Sequence, residues 1–530
     1  MMLASIDIAV LIAYVLAIFA LAQWVSRERA GHTKNSNDYF LAGKTLPWWA
    51  IGASLIAANI SAEQIIGMSG SGYVIGLAIA SYEWMAALTL VIVGKYFLPI
   101  FLKNGIHTMP QFLELRYGPR ICKLMAVFWL GVYVFVNLTS ILWLGSIAVH
   151  AVAGIDQTYA LIALAAFALF YQLYGGLKAV ALTDIVQVTL LVAGGLAIDV
   201  IALGRIGDGH GIAAGFSTLL ARAPEHFHMI LSRDNPYYMD LPGLSVLVGG
   251  LWVMNLSYWG FNQYIIQRAL AAKSLKEAQR GVTFAAYLKL LMPVIVVLPG
   301  LAAVLLAPDL AKPDQAYPAV MRLLPSGFLG LVFAALIAAI VASLASKINS
   351  VSTIFTLDLY AGWRRDASKK QPGATPPSEK QLVRVGRIAA VIAVLLAVLT
   401  AKPLLGHFDQ AFQYIQEFTG FFTPGICVIF LLGLFWKRAS EAGALTAAIG
   451  SALLSLLFKL TWPTLPFMDR VGVVFLLALV AAVVVPLLRP EAKASNRIDV
   501  RNVDYHTSRG FNVAAIGVIL ILAALYAVWW

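Results

Sequence analysis

The sequence predicts an all-α polytopic membrane protein of about fourteen transmembrane helices built around a five-plus-five inverted repeat. Three observations predict it. Apolar residues make up 60% of the 530-residue chain and charged residues 12%, whereas soluble proteins are usually about 45–50% apolar. Apolar runs of about 20 residues, enough to cross a hydrocarbon core of roughly 30 Å, recur along the whole chain. Two of those runs are interrupted by polar clusters that an ordinary spanning helix would not carry.

Apolar runs bounded by turn and charge signals place spans near 5–25, 47–70, 74–100, 123–150, 157–175, 177–205, 243–264, 281–308, 325–360, 385–402, 410–436, 440–460, 468–488 and 510–530. The first contains Ala20-Leu21-Ala22, which resembles a cleavage site. It starts with Asp7 instead of a positive segment, and so reads as an uncleaved helix. An even count puts both termini on one side. Most of the 38 Lys and Arg residues fall in loops that are cytoplasmic if the termini face outward, and this bias orients spans. Both termini are therefore expected to be extracytoplasmic. The most basic connection, Arg364 to Arg387, reads as a cytoplasmic loop. The 206–242 segment reads as an extracytoplasmic loop with a weakly helical Ile212 to Ala223 stretch.

Composition excludes several classes. The net charge of +12 is spread between spans and forms no basic stripe on a soluble fold, so nucleic acid is not an expected partner. Cys122 and Cys427 lack paired or metal-ligand spacing. The eight histidines show no HExxH pattern, and no connection is long enough for an enzyme domain. No catalytic activity and no organic cofactor are expected.

The two interruptions carry the functional signal. Ala57 to Gln64 (AANISAEQ) lies in the second span and Asn255 to Gln263 (NLSYWGFNQ) in the seventh, five spans apart. Paired broken helices mark an inverted repeat whose substrate site lies near the midplane. The units are 47–205 and 243–436, preceded by 1–46, separated by 206–242 and followed by 437–530. Unwound backbone frees carbonyls for a cation and amides for a solute; polar clusters can otherwise simply join helices. Glu83, Asp184, Lys289 and Lys347 lie inside apolar runs, where a charge costs roughly 2.5–3.5 kcal/mol or more. Each should face a cavity or a partner, and Lys289 and Glu83 could pair.

Long strings resemble the sodium/glucose cotransporter type of the sodium/solute symporter family. They include Asp38 to Trp49 (DYFLAGKTLPWW), Ala53 to Gln64 (ASLIAANISAEQ), Met68 to Tyr73 (MSGSGY), Ser81 to Met85 (SYEWM), Val136 to Ser140 (VNLTS), Tyr258 to Arg268 (YWGFNQYIIQR) and Ala411 to Glu417 (AFQYIQE). Gly433 to Ala447 matches as well, with Arg438, Gly443 and Ala444 in place. The resemblance implies a LeuT-like fold with a discontinuous first helix in each repeat, alternating access, a bacterial inner-membrane location and sodium as coupling ion. It implies a sugar site of Gln64, Glu83, Asn255, Lys289 and Gln416, whose amides, carboxylate and ammonium can read hydroxyls that both donate and accept. Tyr258 would stack on the sugar as inner gate with Asn59 holding its hydroxyl. Met68, Tyr82 and Phe412 would close the outer side, with Tyr133 and Trp259 near the cavity. Sodium would be held by carbonyls of Ala57, Ile60 and Ala339 and by the Ser343 hydroxyl, with Asp184 on its exit route.

The sequence departs from that pattern at two places. Ala86 replaces a sugar-contacting serine, which puts the preferred epimer in question, and Ala342 replaces the first of two serine ligands for sodium. Lys347 follows Ser343 by four residues and so shares its helix face. It is expected either to pair with Asp184 or to bring its ammonium to the ion site, giving weak sodium dependence or proton coupling; the alternative is that it snorkels to cytoplasmic water. The expected function is inward symport of a neutral monosaccharide with sodium across the bilayer. Alternatives are symport of another polyol or organic solute, or a sugar sensor or passive channel on the same fold.

Overall fold

A computed structural model describes residues 3–26, 46–106, 108–174, 177–364, 378–406, 410–488, 498–500 and 502–530. Most of the Arg364 to Arg387 connection therefore lies outside the described residues. Those described form helices and one isolated β-bridge, between Leu46 and Ala272. Nine helices are long and apolar enough to span, or eleven if each of two bent pairs counts once. Helices also occupy Ser5–Ser26, Gln157–Tyr174 and Gly250–Phe261 with Gln263–Leu270.

Both polar interruptions break their helices. Trp48–Asn59 stops at Ile60, whose extended backbone (φ −66°, ψ 107°) leaves its N–H on the Ile56 carbonyl. The chain resumes as a π-helical turn, Glu63–Met68, that runs into Ser69–Ile75. The two parts meet at 64°. In the other repeat Gly250–Phe261 stops at Asn262 (φ −85°, ψ 124°) and resumes as Gln263–Leu270. A third bend, of 48°, separates Ala411–Gly420 from Thr423–Phe435.

Leu275–Leu306 is the central strut and packs against Trp48–Asn59, Ser69–Ile75, Ser81–Ile92 and Leu177–Ile206. Its start is tied to the first broken helix, because Glu277 accepts the Trp48 N–H at 2.8 Å. Beyond its end, the Tyr73 hydroxyl donates to the Pro308 carbonyl at 2.6 Å. Close approach depends on Gly300, where a Cβ would lie 2.1 Å from the Ser69 carbonyl oxygen. Gly300→Ala is expected to push these helices apart and destabilise by about 1–3 kcal/mol, as overpacking does. Thermal unfolding in detergent measures it, and an unchanged midpoint would refute the contact.

Two buried charges fasten helix ends. Asp7 accepts the N–H groups of Gly327 (2.6 Å) and Gly330 (2.8 Å) at the start of Phe328–Thr353. Arg116 donates to the carbonyls of Gly433 (2.9 Å), in the last turn of Thr423–Phe435, and of Trp436 (2.8 Å) and Ala439 (3.1 Å), just past it. Both answer the unpaired backbone groups that every helix terminus leaves. In the 206–242 segment, Ile212–Arg222 is helical, and Phe227 packs on Trp529 with ring centroids 5.5 Å apart. Leu399, Leu460, Leu476 and Leu520 are exposed on the outer faces, an apolar girdle of the kind lipid covers.

Candidate functional site

The breaks and the central strut meet around one cavity. It offers about 100 Å³ to the centres of water-sized molecules; one water needs roughly 10–15 Å³ by that measure, so it has room for several water-sized groups. Gln64, Glu83, Asn255, Lys289 and Gln416 all line it. So do Asn59, Met68, Tyr82, Tyr258, Trp259 and Phe412, together with Tyr133 and Ala86. Glu83 and Lys289 are the charged groups of this lining.

These two charges form a buried pair. Lys289 donates to the Glu83 carboxylate and to the Asn59 amide oxygen, and its ammonium lies 5.0 Å from the Trp259 ring centroid. The Asn59 amide nitrogen then donates to the Tyr258 hydroxyl at 3.0 Å. Tyr258 also accepts from the Tyr264 hydroxyl at 2.7 Å. Carboxylate, ammonium, amide and two phenols thus form one connected chain, anchored on helices from both halves of the sequence. Such a chain holds donors and acceptors side by side, and each member can exchange an internal bond for one to a group that both donates and accepts.

Other lining groups have fixed polarity. Asn255 donates to the Leu251 carbonyl at 3.1 Å, which orients its amide oxygen as the remaining acceptor. Gln64 accepts from Ser61 Oγ at 3.2 Å, which leaves its NH₂ as a donor. Tyr82 and Phe412 meet edge to face, with centroids 5.2 Å apart. Ala86 puts a methyl group in the wall.

Several lining residues escaped the sequence reading. Asn262, at the second break, accepts from the Tyr133 hydroxyl at 2.7 Å; it stands inside the polar cluster, which was its only signal. Phe128, Trp129, Phe422 and Thr423 also line the cavity. In apolar stretches of the sequence they carry nothing that separates a cavity wall from a core.

The residues expected to hold the cation come from two helices. Ala57 and Ile60 flank the first break, and no backbone N–H among the described residues donates to their carbonyls. Ala339 and Ser343 lie inside Phe328–Thr353, which packs against Trp48–Asn59. Lys347 does not snorkel to water: it is 1% exposed and donates to Ser343 Oγ at 3.0 Å. Its ammonium also stands 4.6 Å from the Tyr264 ring centroid. Asp184 belongs to Leu177–Ile206, but its side chain lies outside the described part, and so does any pairing with Lys347. Glu63, beside the break, accepts from Ser140.

The model of the sodium:solute symporter family matches residues 39–450. A sodium/glucose cotransporter from Vibrio parahaemolyticus is 50% identical to the chain, covering 100% of this chain and 99% of the relative. Human sodium/myo-inositol cotransporter 2 is 34% identical over 85% of this chain and 69% of its own length. Among solved structures, a Na⁺-coupled sialic acid symporter in its substrate-bound outward-open state aligns with a TM-score of 0.76 at 24% identity, covering 92% of this chain and 99% of the other. Mhp1, a nucleobase-cation-symport-1 family transporter, aligns at 0.54 and 14% identity, covering 89% and 100%. Both likenesses bear on the fold, which is LeuT-like. With a family model matched over most of its length and a relative half identical from end to end, this chain belongs to the sodium:solute symporter family and is a transporter, not an enzyme.

Proposed function

We propose that the protein carries a neutral monosaccharide of the glucose or galactose class inward together with sodium, by alternating access. One observation supports the sugar most: Gln64, Glu83, Asn255, Lys289 and Gln416, from five separate helices, converge on one cavity of suitable size. Amides and a single paired carboxylate and ammonium suit hydroxyls better than they suit a charged group, which would need an unbalanced counter-charge. Tyr258, held between Asn59 and Tyr264, gives the sugar ring an aromatic face to lie on. In this reading Met68, Tyr82 and Phe412 close the outer side, and Ala57, Ile60, Ala339 and Ser343 take the ion. The names of the glucose and myo-inositol cotransporters point the same way.

The reading includes fourteen spans in a bacterial inner membrane, both termini extracytoplasmic, and repeat units of 47–205 and 243–436. Uptake of radiolabelled glucose and galactose into proteoliposomes tests it, with sodium and proton gradients imposed separately. Accumulation above the outside concentration that collapses when the sodium gradient is dissipated is expected. Equilibration without accumulation would mean a channel, and no entry of any hexose would overturn the substrate. Ala342 and the Lys347–Ser343 contact favour a second reading, weak sodium dependence, which the sodium series of the same experiment detects.

A further inference from the structure

The ion site and Lys347 share an oxygen. The Ala57 and Ile60 carbonyls, unpaired by backbone amides, and the Ser343 hydroxyl are donors of the kind a small hard cation takes. Ala342 adds none. The helix geometry puts them at one level. Trp48 is tied to the start of Leu275–Leu306, and Tyr73 to the residues beyond its end. Phe328–Thr353, which follows that end, therefore runs back towards Trp48, antiparallel to Trp48–Asn59. Arg268 bridges the two helices, donating to Ser54 Oγ at 2.9 Å and to Ser346 Oγ at 3.3 Å. One turn from this bridge in the same direction lie Ala57 on one helix and Ser343 on the other.

We propose that the Lys347 ammonium is a resident cation of the ion site: it holds the Ser343 oxygen that sodium requires, and sodium binds only by driving it away. The inference rests on the sodium-symport reading and sharpens it. A hydroxyl whose lone pairs face an ammonium is a poor ligand, and two positive charges a few ångströms apart repel strongly away from water. The contact has support of its own. Tyr264 presents its ring to the ammonium, 4.6 Å from the ring centroid. Leu177–Ile206 packs on both helices; its Asp184 side chain lies outside the described part.

Equilibrium binding of radioactive sodium to the purified protein in detergent tests this without any sugar. Lys347→Met and Lys347→Gln are expected to bind sodium at least about tenfold more tightly than the unaltered protein, while Lys347→Arg stays weak, because only the neutral variants remove the competing charge. Unchanged or weaker sodium binding in the neutral variants overturns the proposal, as does an equal gain in Lys347→Arg. The glutamine variant keeps a donor for Ser343 and serves if the methionine variant does not fold. Hexose binding in the same preparations separates the two readings. Its absence with the sodium shift intact counts against the sugar alone, and its presence without the shift counts against Lys347 alone.

Discussion

Glu83→Gln is expected to bring sugar uptake to background and to destabilise the protein by about 3–5 kcal/mol, the usual result of leaving one member of a buried pair without its partner. Lys289→Met should do the same from the other side. Their side chains are only 4% and 1% exposed, so neither remaining charge could turn to water. The double variant separates the two roles. With both charges gone the desolvation penalty goes too, and stability should return to near the starting value while uptake stays at background. Thermal unfolding in detergent beside hexose uptake in proteoliposomes gives both readings. Normal uptake by Glu83→Gln would show that the pair serves packing and not solute.

Arg116→Met is expected to have the second-largest effect, on stability and not on the solute. Three carbonyls lie on one guanidinium, at 2.8 to 3.1 Å, and the side chain is buried. A hydrogen bond to a charged group contributes roughly 1.5–3 kcal/mol, and the buried acceptors left behind add their own cost. A loss of about 4 kcal/mol or more follows. Arg116→Lys should recover only part, since an ammonium cannot copy the planar fork that reaches all three oxygens. Below the unfolding temperature, hexose affinity should be unaltered, because Arg116 does not line the cavity. A midpoint within a degree of the parent would sink this account of the helix end.

Both broken helices were legible because the cause was local. A polar run in an apolar span has no lipid-compatible reading except as enclosed backbone, and the helices do stop at Ile60 and Asn262. Of the five side chains expected to read the solute, Gln64, Glu83 and Gln416 lie in long matching strings, Asn255 in the second polar cluster and Lys289 as a charge inside an apolar run, and all five line one cavity. What escaped depends on contacts between distant segments. The bend between Gly420 and Thr423 sits in a phenylalanine-rich stretch where Gly420, Pro424 and Gly425 are the hints. The second span continues to Ile75, past the expected limit near 70, because Ser69, Gly70, Ser71 and Gly72 pack as a helix against the strut although their hydropathy is low. The buried place of Lys347 could not be chosen from sequence, since the ring it meets, Tyr264, comes from another helix.

In the sugar-symport reading, the pairing of Glu83 with Lys289 has a further consequence, the sorting of solutes by ionisation. Because the cavity wall sums to zero charge, a uronate would meet Glu83 as a repelling neighbour, and a protonated hexosamine would meet Lys289 in the same way. Neither gains a free counter-charge, because each is already taken by the other. Sugar acids and amino sugars should therefore compete poorly for uptake even where their rings match a good substrate in every hydroxyl.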